Sequence, residues 1–470
     1  MSQETIEMTS TNSTQRSSRS RFAALSVLAV GLTLGLSACD ETLEVYDPDR
    51  VTPASLASAD AIPILVASAL GEFQVAYSGS GGDAFVSTTG AFTDELMGAG
   101  TFPTRTRMDQ RNWYTPQEGN TSDGIYVNLQ QARRAAILAQ QQIDLLLDSR
   151  AGTGWGEMRA LEAYTYVAMG EAYCGHVPFT EVDQGGKELE GTNAPKSTTV
   201  IFDDAITRFN EALSDTPSLY MAAVGKGRAL MSLGRYSEAA SAVASVPTTY
   251  VYWIEHGETD GRQNNGIWGL QDGGRYTITD GEGSYGPMFL SANDPRLPWE
   301  PRPNNNGFGF DGSTPQYNAL KYNYRGADLV LADGVEARLI EAEAAYHGGN
   351  FGAALTILNS LRSQVAILMP LRVDNWASLG ISPSLDPLTD PGSSDAQLDL
   401  IMTERAFWLY LTGHRQGDLR RLVRIEGRSA DSVYPSGPYI RSGPQGGGNY
   451  GTDIAWHLDF DETNNDEFDP

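Results

Sequence analysis

Two stretches far apart in the chain carry the same short pattern, and that repeat limits the fold more than any other feature. In "GRALMSLGRYSEAASAV" Gly227 is followed by Gly234, Tyr236 and Ala239. In "AEAAYHGGNFGAALTIL" Ala342 is followed by Gly349, Phe351 and Ala354, at the same offsets of seven, two and three. Small residues sit where two helices would touch, and a Gly supplies the turn. An aromatic and a second small residue then open the returning helix. Each stretch therefore reads as a helical hairpin.

The pattern resembles the tetratricopeptide repeat. Further helices follow from apolar residues at three- and four-residue steps. They are "QQARRAAILAQQQIDLLL", "WGEMRALEAYTYVAMGEAY" closed by Gly175 and Pro178, Val200 to Ser214 and Leu398 to Leu411. "TPASLASADAIPILVASALGEFQVAY" also reads as helix, with a Gly/Ser/Thr loop expected to about Gly100. The spacing is irregular, so helix pairs separated by long insertions are expected rather than a uniform solenoid. Residues 251–324 differ in kind: Gly, Asn, Asp, Pro and scattered aromatics exclude an amphipathic helix and imply ordered loops crossing a scaffold. The expected class is mainly α, with tetratricopeptide-like helix pairs as a scaffold and a large, loop-rich irregular insertion.

At the N-terminus Arg16, Arg19 and Arg21 precede the apolar run "FAALSVLAVGLTLGLSAC". A basic segment before an apolar one is the form of a secretory signal peptide. Leu36-Ser37-Ala38-Cys39 resembles the lipobox of bacterial lipoproteins, in which the Cys is acylated and becomes the mature N-terminus. The expected organisation is a signal peptide at 1–38, a lipidated tether at 39–50, and one domain at 51–470 ending in an acidic tail. Two or three acyl chains hold a protein on a membrane stably. With Cys39 lipidated, Cys174 is the one cysteine left and is expected to be a small core residue.

The net charge of −26 argues against nucleic acid as a partner, since phosphate binding needs a basic surface. Gly281, Gly283 and Gly286 form a G-x-G-x-x-G, but Pro295 and Pro298 leave no room for the long helix a dinucleotide site needs. The histidines His176, His256, His347, His414 and His457 are scattered, without metal-ligand spacing. The acidic tail lacks the Gly of a calcium-binding EF-hand loop. No cofactor is expected, with a structural calcium ion as the open alternative. No nucleophile motif stands out, while paired catalytic carboxylates carry no local signature. Loop aromatics offer flat faces for sugar rings or extended peptides, and Trp113, Tyr114, Trp253, Trp268, Tyr285 and Trp299 are the candidate ligand-binding residues.

The run "TERAFWLYLTGHRQGDLRRLVR" gathers Arg405, His414, Arg415, Arg420, Arg421 and Arg424 in an acidic chain. It reads as two helices broken at Gly413, with Asp418 in the first turn of the second. Glu404, Gly413, Arg415 and Asp418 form a structural signature, and Arg415 is expected to make a buried ion pair with Glu404 or Asp418.

Several segments in order resemble the SusD/RagB family of outer-membrane nutrient-binding lipoproteins. After the lipobox come "MRALEAYTYVAMGEAYCGHVPFTE", "NDPRL", "ADLVLADGVEARLIEAEAAYHGGNFGAALTILNSLR" and "ERAFWLYLTGHRQGDLRRL". The resemblance implies a tetratricopeptide-like helical scaffold with an irregular, loop-rich part. It implies a non-enzymatic binding protein on the cell outer membrane, anchored by lipid and exposed at the surface. It also implies delivery of captured oligosaccharides or peptides to a SusC-like TonB-dependent transporter. The alternative reading is a lipid-anchored degradative enzyme such as a glycoside hydrolase.

Overall fold

The computed structural model describes residues 58–79, 83–112, 121–181, 189, 194–282, 286–441 and 443–458. The expected signal peptide, Cys39, the tether and the acidic tail lie outside the described residues, as do Trp113, Tyr114 and Tyr285.

The described fold opens with α1 (Ile62–Ser78), α2 (Phe85–Phe92), the short strand β1 (Met97–Gly98) and α3 (Pro103–Asp109). The long helices α4 (Thr121–Leu146), α5 (Trp155–Ala172) and α6 (Thr198–Asp215) follow, then the hairpin of α7 (Tyr220–Ser232) and α8 (Tyr236–Val243). Next come β2 (Val251–Ile254), α9 (Gly266–Asp272), β3 (Tyr276–Thr277), β4 (Trp299–Pro301), β5 (Tyr317–Ala319) and β6 (Leu329–Asp333). Helices α10 (Gly334–His347), α11 (Phe351–Ser363), α12 (Val365–Arg372), α13 (Ser394–Trp408) and α14 (Arg415–Arg424) complete the described fold.

Packing follows the chain. α4 lies against α1, α5 against α4, α6 against α5, α7 against α6 and α8 against α7; α10 then packs on α8 and α11 on α10. Both repeat units are helical hairpins. Gly234 and Gly349 turn the chain with φ of +71° and +77°, which side chains on Cβ disfavour. Gly227 is required for contact, because a Cβ there would lie 2.6 Å from Val243 and 3.1 Å from Ile340 of the next hairpin. Local chemistry sets the helix starts: Asp333 accepts the amide of Glu336 at 2.7 Å, and Asn350 that of Ala353 at 3.1 Å. The strands pair antiparallel as β1–β3, β2–β6 and β4–β5. The β2–β6 pair joins the loop-rich region to the scaffold.

The α13–α14 hairpin is the hub. Arg405 of α13 makes two 2.8 Å bonds to Asp418 of α14, and Arg421 donates to the same carboxylate at 2.7 Å. Arg421 also pairs with Glu343 of α10. Burial alone would raise the Asp418 carboxyl, but Arg405 and Arg421 hold it below its ordinary range. Arg420 spans to another helix, donating at 2.8 Å to the carbonyls of Gly170, Glu171 and Tyr173 at the end of α5. Those carbonyls have no partner within their own helix, so the guanidinium acts as an external cap.

Three expectations need correction. Arg415 pairs with neither Glu404 nor Asp418; it reaches Asp94, after α2, through bonds of 2.7 and 2.5 Å. Asp418 is already occupied, and Glu404 takes Arg296 at 2.7 Å and Arg362 at 2.6 Å. The stretch read as a loop to Gly100 contains α2, whose Thr89 and Thr93 hydroxyls turn inward onto carbonyls one turn back. Cys174 is exposed rather than in the core, because α5 ends at Ala172 and the chain turns there. The first stretch read as helix is helical from Ala59 to Ser78 within the described residues, a 3-10 turn at Ala59–Ala61 leading into α1 with Pro63 in its first turn.

Arg415→Ala strands Asp94 in the interior, and a loss of about 3–5 kcal/mol in unfolding free energy is expected. Urea denaturation of Arg415→Ala, Asp94→Ala and the double variant checks it. A double variant far less damaged than the sum of the singles is the expected sign of a coupled pair.

Candidate ligand-binding surface

Three loop segments are woven together where the N-terminal helices meet the loop-rich region. β1 pairs with β3, and beyond it the Ala99 amide donates to the Arg275 carbonyl at 2.7 Å. Phe310 donates to the Gly274 carbonyl at 2.8 Å and Asp311 to that of Ala99 at 3.0 Å. The approach is so close that any Cβ at Gly309 would collide with Ala99. Asp311 closes the turn, accepting the amides of Ser313 and Thr314 at 2.9 Å each and pairing with Arg441 at 3.0 Å. Asn305 donates to the Gly309 carbonyl at 2.6 Å.

This weave displays aromatic side chains outward. Phe102 is 48% exposed, Phe308 38% and Phe310 55%, unusual values for Phe unless the surface has a partner. The Arg275 guanidinium lies between two of them, 3.8 Å from the Phe310 ring centre and 4.7 Å from that of Phe102. Arg105 approaches Phe102 at 4.8 Å and is itself paired with Asp83 at 2.8 Å. Arg302 donates to the carbonyls of Asp272 at 2.8 Å and Phe308 at 2.9 Å, bracing the loop from behind. Burial, then the nearby charges of Arg105 and Arg302, lower the pKa of Arg275. Exposed rings flanking a guanidinium can stack on the apolar face of a sugar ring and donate to its oxygens.

Below the weave lies a buried acid pair. Asp109 and Glu282 are 0% and 1% exposed and share a hydrogen bond. Asp109 also accepts the Gly98 amide at 2.7 Å and the Tyr439 hydroxyl, while Tyr450 donates to Glu282 at 2.9 Å. Burial raises Asp109 to about 6, and burial together with Asp109 raises Glu282 well above its ordinary value. A proton between the carboxyls is the physical reading, since two adjacent buried anions would repel strongly. The pair is enclosed and does not face a ligand on the surface. Among the described residues no cluster of three or more His, Cys, Asp or Glu side chains forms a metal site.

The sequence candidates within the described residues are half-buried and sit in separate surroundings. Trp253 lines a cavity of about 540 Å³ with Tyr252, Phe73, His256 and Gln263. There His256 bonds Gln74 at 2.7 Å and Ser78 at 3.0 Å, and burial lowers it to about 4. Trp268 lies beneath Arg325, whose guanidinium is 5.3 Å from its ring centre. Trp299 donates to the Leu290 carbonyl at 3.1 Å and packs edge-on against Tyr317. Phe102, Arg275 and Phe310 escaped the sequence reading, which sought Trp and Tyr. The available signal was "NNNGFGFDG", where Phe alternates with Gly and has no apolar neighbour to pack on.

Comparisons with known proteins agree with this architecture. The tetratricopeptide repeat family matches residues 202–247, spanning most of α6, the α7–α8 hairpin and the turn after it. A SusD-like carbohydrate binding protein from Bacteroides vulgatus superposes with a TM-score of 0.55 at 16% identity, covering 77% of this chain and 83% of that one. A SusD superfamily protein from Bacteroides fragilis gives a TM-score of 0.57 at 15% identity, covering 85% and 96%. A laminarin binding SusD-like protein gives 0.56 at 15% identity, covering 86% and 97%. Among curated proteins no sequence match is found. The fold is SusD-like, as the sequence resemblance implied.

The acid pair makes a pH-dependent contribution to stability. A carboxyl whose folded pKa is raised favours the folded state at low pH, and that contribution is lost as pH rises through the folded value. For Asp109 the window runs from its ordinary 3.8 up to about 6, with Glu282 titrating higher. Glu282→Gln is therefore expected to melt progressively higher than the parent as pH is raised from about 5 to about 8. Thermal melts across that range check it; parallel curves would contradict the shared proton.

Proposed function

We propose that this chain is a lipid-anchored binding protein of the cell outer membrane that captures oligosaccharides on the Phe102–Arg275–Phe310 surface and passes them to a TonB-dependent transporter. The observation that carries the reading is the exposed pair of Phe rings around a guanidinium, held outward by a backbone weave on a SusD-like fold. A rigid scaffold with aromatic loops suits capture and release, since stacking gives sequence-tolerant contact without demanding an enclosed pocket. The structural relatives include a carbohydrate binding protein and a laminarin binding protein, which favours glycan over peptide as the ligand class. The lipobox at Cys39 supports the anchor, and the transporter partner follows from the family resemblance. The enclosed acid pair gives the hydrolase alternative no support, because a glycosidase needs its carboxyls on either side of a bound sugar.

Phe310→Ala and Phe102→Ala are each expected to weaken oligosaccharide binding by about 1 kcal/mol, roughly fivefold in Kd, with little change in melting temperature. Titration calorimetry against a panel that includes laminarin and peptides reads this out. Unaltered binding in both variants would move the site elsewhere, with the Trp253 cavity next in order. Cys39→Ser is expected to abolish incorporation of labelled palmitate and release the protein from the membrane fraction; retention of both label and membrane association would refute the anchor.

A further inference from the structure

Arg275 stands apart from the other arginines on this surface. Arg105 is bound to Asp83, Arg441 to Asp311, and Arg302 to backbone carbonyls. Buried nitrogens without a partner occur on Arg302 and Arg441 as well as at Nη1 of Arg275, but among the described residues Arg275 alone of these four makes no side-chain hydrogen bond or ion pair. The charges acting on Arg275 are cations, Arg105 and Arg302, with no opposing carboxylate. The chain has 59 acidic residues against 33 Lys and Arg, so a cation left without an acid runs against its composition. An unpaired, partly desolvated guanidinium is costly unless something arrives to complete it. Phe102 and Phe310 flank the group and its Nη1 faces inward, which leaves the Nε and Nη2 N–H edge for that partner. A planar fork of N–H donors matches a carboxylate or sulfate oxygen pair better than a single hydroxyl.

We infer that the oligosaccharide bound here carries an acidic substituent, a uronate carboxylate or a sulfate ester, which docks against the free edge of Arg275 while its ring stacks on Phe310 or Phe102. This rests on the binding reading above and sharpens it from glycan to acidic glycan. With Arg105 balanced by Asp83, Arg275 and Arg302 leave a local positive notch in an otherwise acidic chain. A neutral sugar would leave the guanidinium unneutralised, whereas an acidic one completes it. Arg105 and Arg302 are held by partners of their own, so Arg275 is the discriminating group.

The test is titration calorimetry of the full-length protein in detergent with four sugar probes and one peptide. The sugars are oligogalacturonate, the same oligomer with its carboxyls reduced, a sulfated galactan oligosaccharide and laminarin oligosaccharide; the peptide is oligoglutamate. The expected result is that one acidic sugar binds on the order of ten- to a hundredfold tighter than its uncharged counterpart, the range for a hydrogen bond to a charged group. Which acidic probe wins separates carboxylate from sulfate. Arg275→Gln should erase that preference while Phe310→Ala weakens acidic and neutral sugars alike. Arg275→Lys, which keeps the charge without the fork, should retain part of the preference. Should Arg275→Gln fail to fold, the parent protein still decides, because salt should weaken acidic but not neutral sugar binding. Equal affinity for acidic and neutral sugars, both lost in Phe310→Ala, overturns the acidic assignment and leaves the surface standing. Sugar binding untouched by Phe310→Ala overturns the surface itself. Binding of oligoglutamate alone, or of none of the probes, overturns the acidic-glycan assignment.

Discussion

The turn between α13 and α14 is buried, and a buried turn must find partners for backbone groups that water would otherwise satisfy. Four successive carbonyls do so through side chains from different parts of the chain. Lys321 donates to Tyr410 at 2.8 Å, Tyr322 to Leu411 at 2.7 Å, Tyr77 to Thr412 at 3.0 Å, and Arg228 to Gly413. The Leu411 amide in turn reaches Glu95 at 2.7 Å. Removing any of these donors leaves a desolvated carbonyl, so α1, α7 and the loop before β6 are all tied to one turn. Burial moves Lys321 and Glu95 toward neutrality, lowering the first to about 7 and raising the second to about 8, whereas Glu171 keeps Arg228 charged.

The arginines around that turn extend the same logic. Buried ion pairs add little net stability compared with well-packed apolar residues, but a mispaired one is severely unfavourable. Asp94, Glu171, Glu343 and Asp418 each face an arginine from another helix or from the far side of the hairpin. Their geometry therefore selects one arrangement of helices rather than simply adding to its depth. Since Asp94 lies just before β1, the pairing with Arg415 carries that selection to the edge of the loop weave. The exposed surface is positioned by the interior through this short path.

Legibility in the sequence divides along physical lines. The hairpin repeats were readable because helix periodicity and the turn glycines Gly234 and Gly349 act over a few residues. Gly413 and the charged hairpin it breaks were readable for the same reason. The partner of Arg415 was not, since Asp94 lies far away in sequence and local spacing favoured Glu404 and Asp418. α2 was hidden because its Ser and Thr resemble loop composition until their hydroxyls bond back to the helix. Phe102 and Phe310 were obscure as a site because they meet only through the three-segment weave, and the outward direction of a side chain in a glycine-rich loop depends on backbone contacts elsewhere.

A chain with a net charge of −26 repels polyanions at long range, yet screening confines that field to about a Debye length, roughly 8 Å at physiological salt. Contact chemistry is then decided by local groups. Most interior arginines here are neutralised by carboxylates, so they contribute fold and not surface potential. Part of the loop region departs from this: Arg302 braces carbonyls and Arg275 lies against two Phe rings, neither of them paired with an acid among the described residues. The acidic envelope disfavours large polyanions such as nucleic acid, while a small positive notch between aromatic rings favours a short ligand that can enter it. Selectivity of this kind arises from the contrast between envelope and notch, and it requires the rigid weave, because a loosened loop would let Arg275 reach a carboxylate elsewhere in this acidic chain.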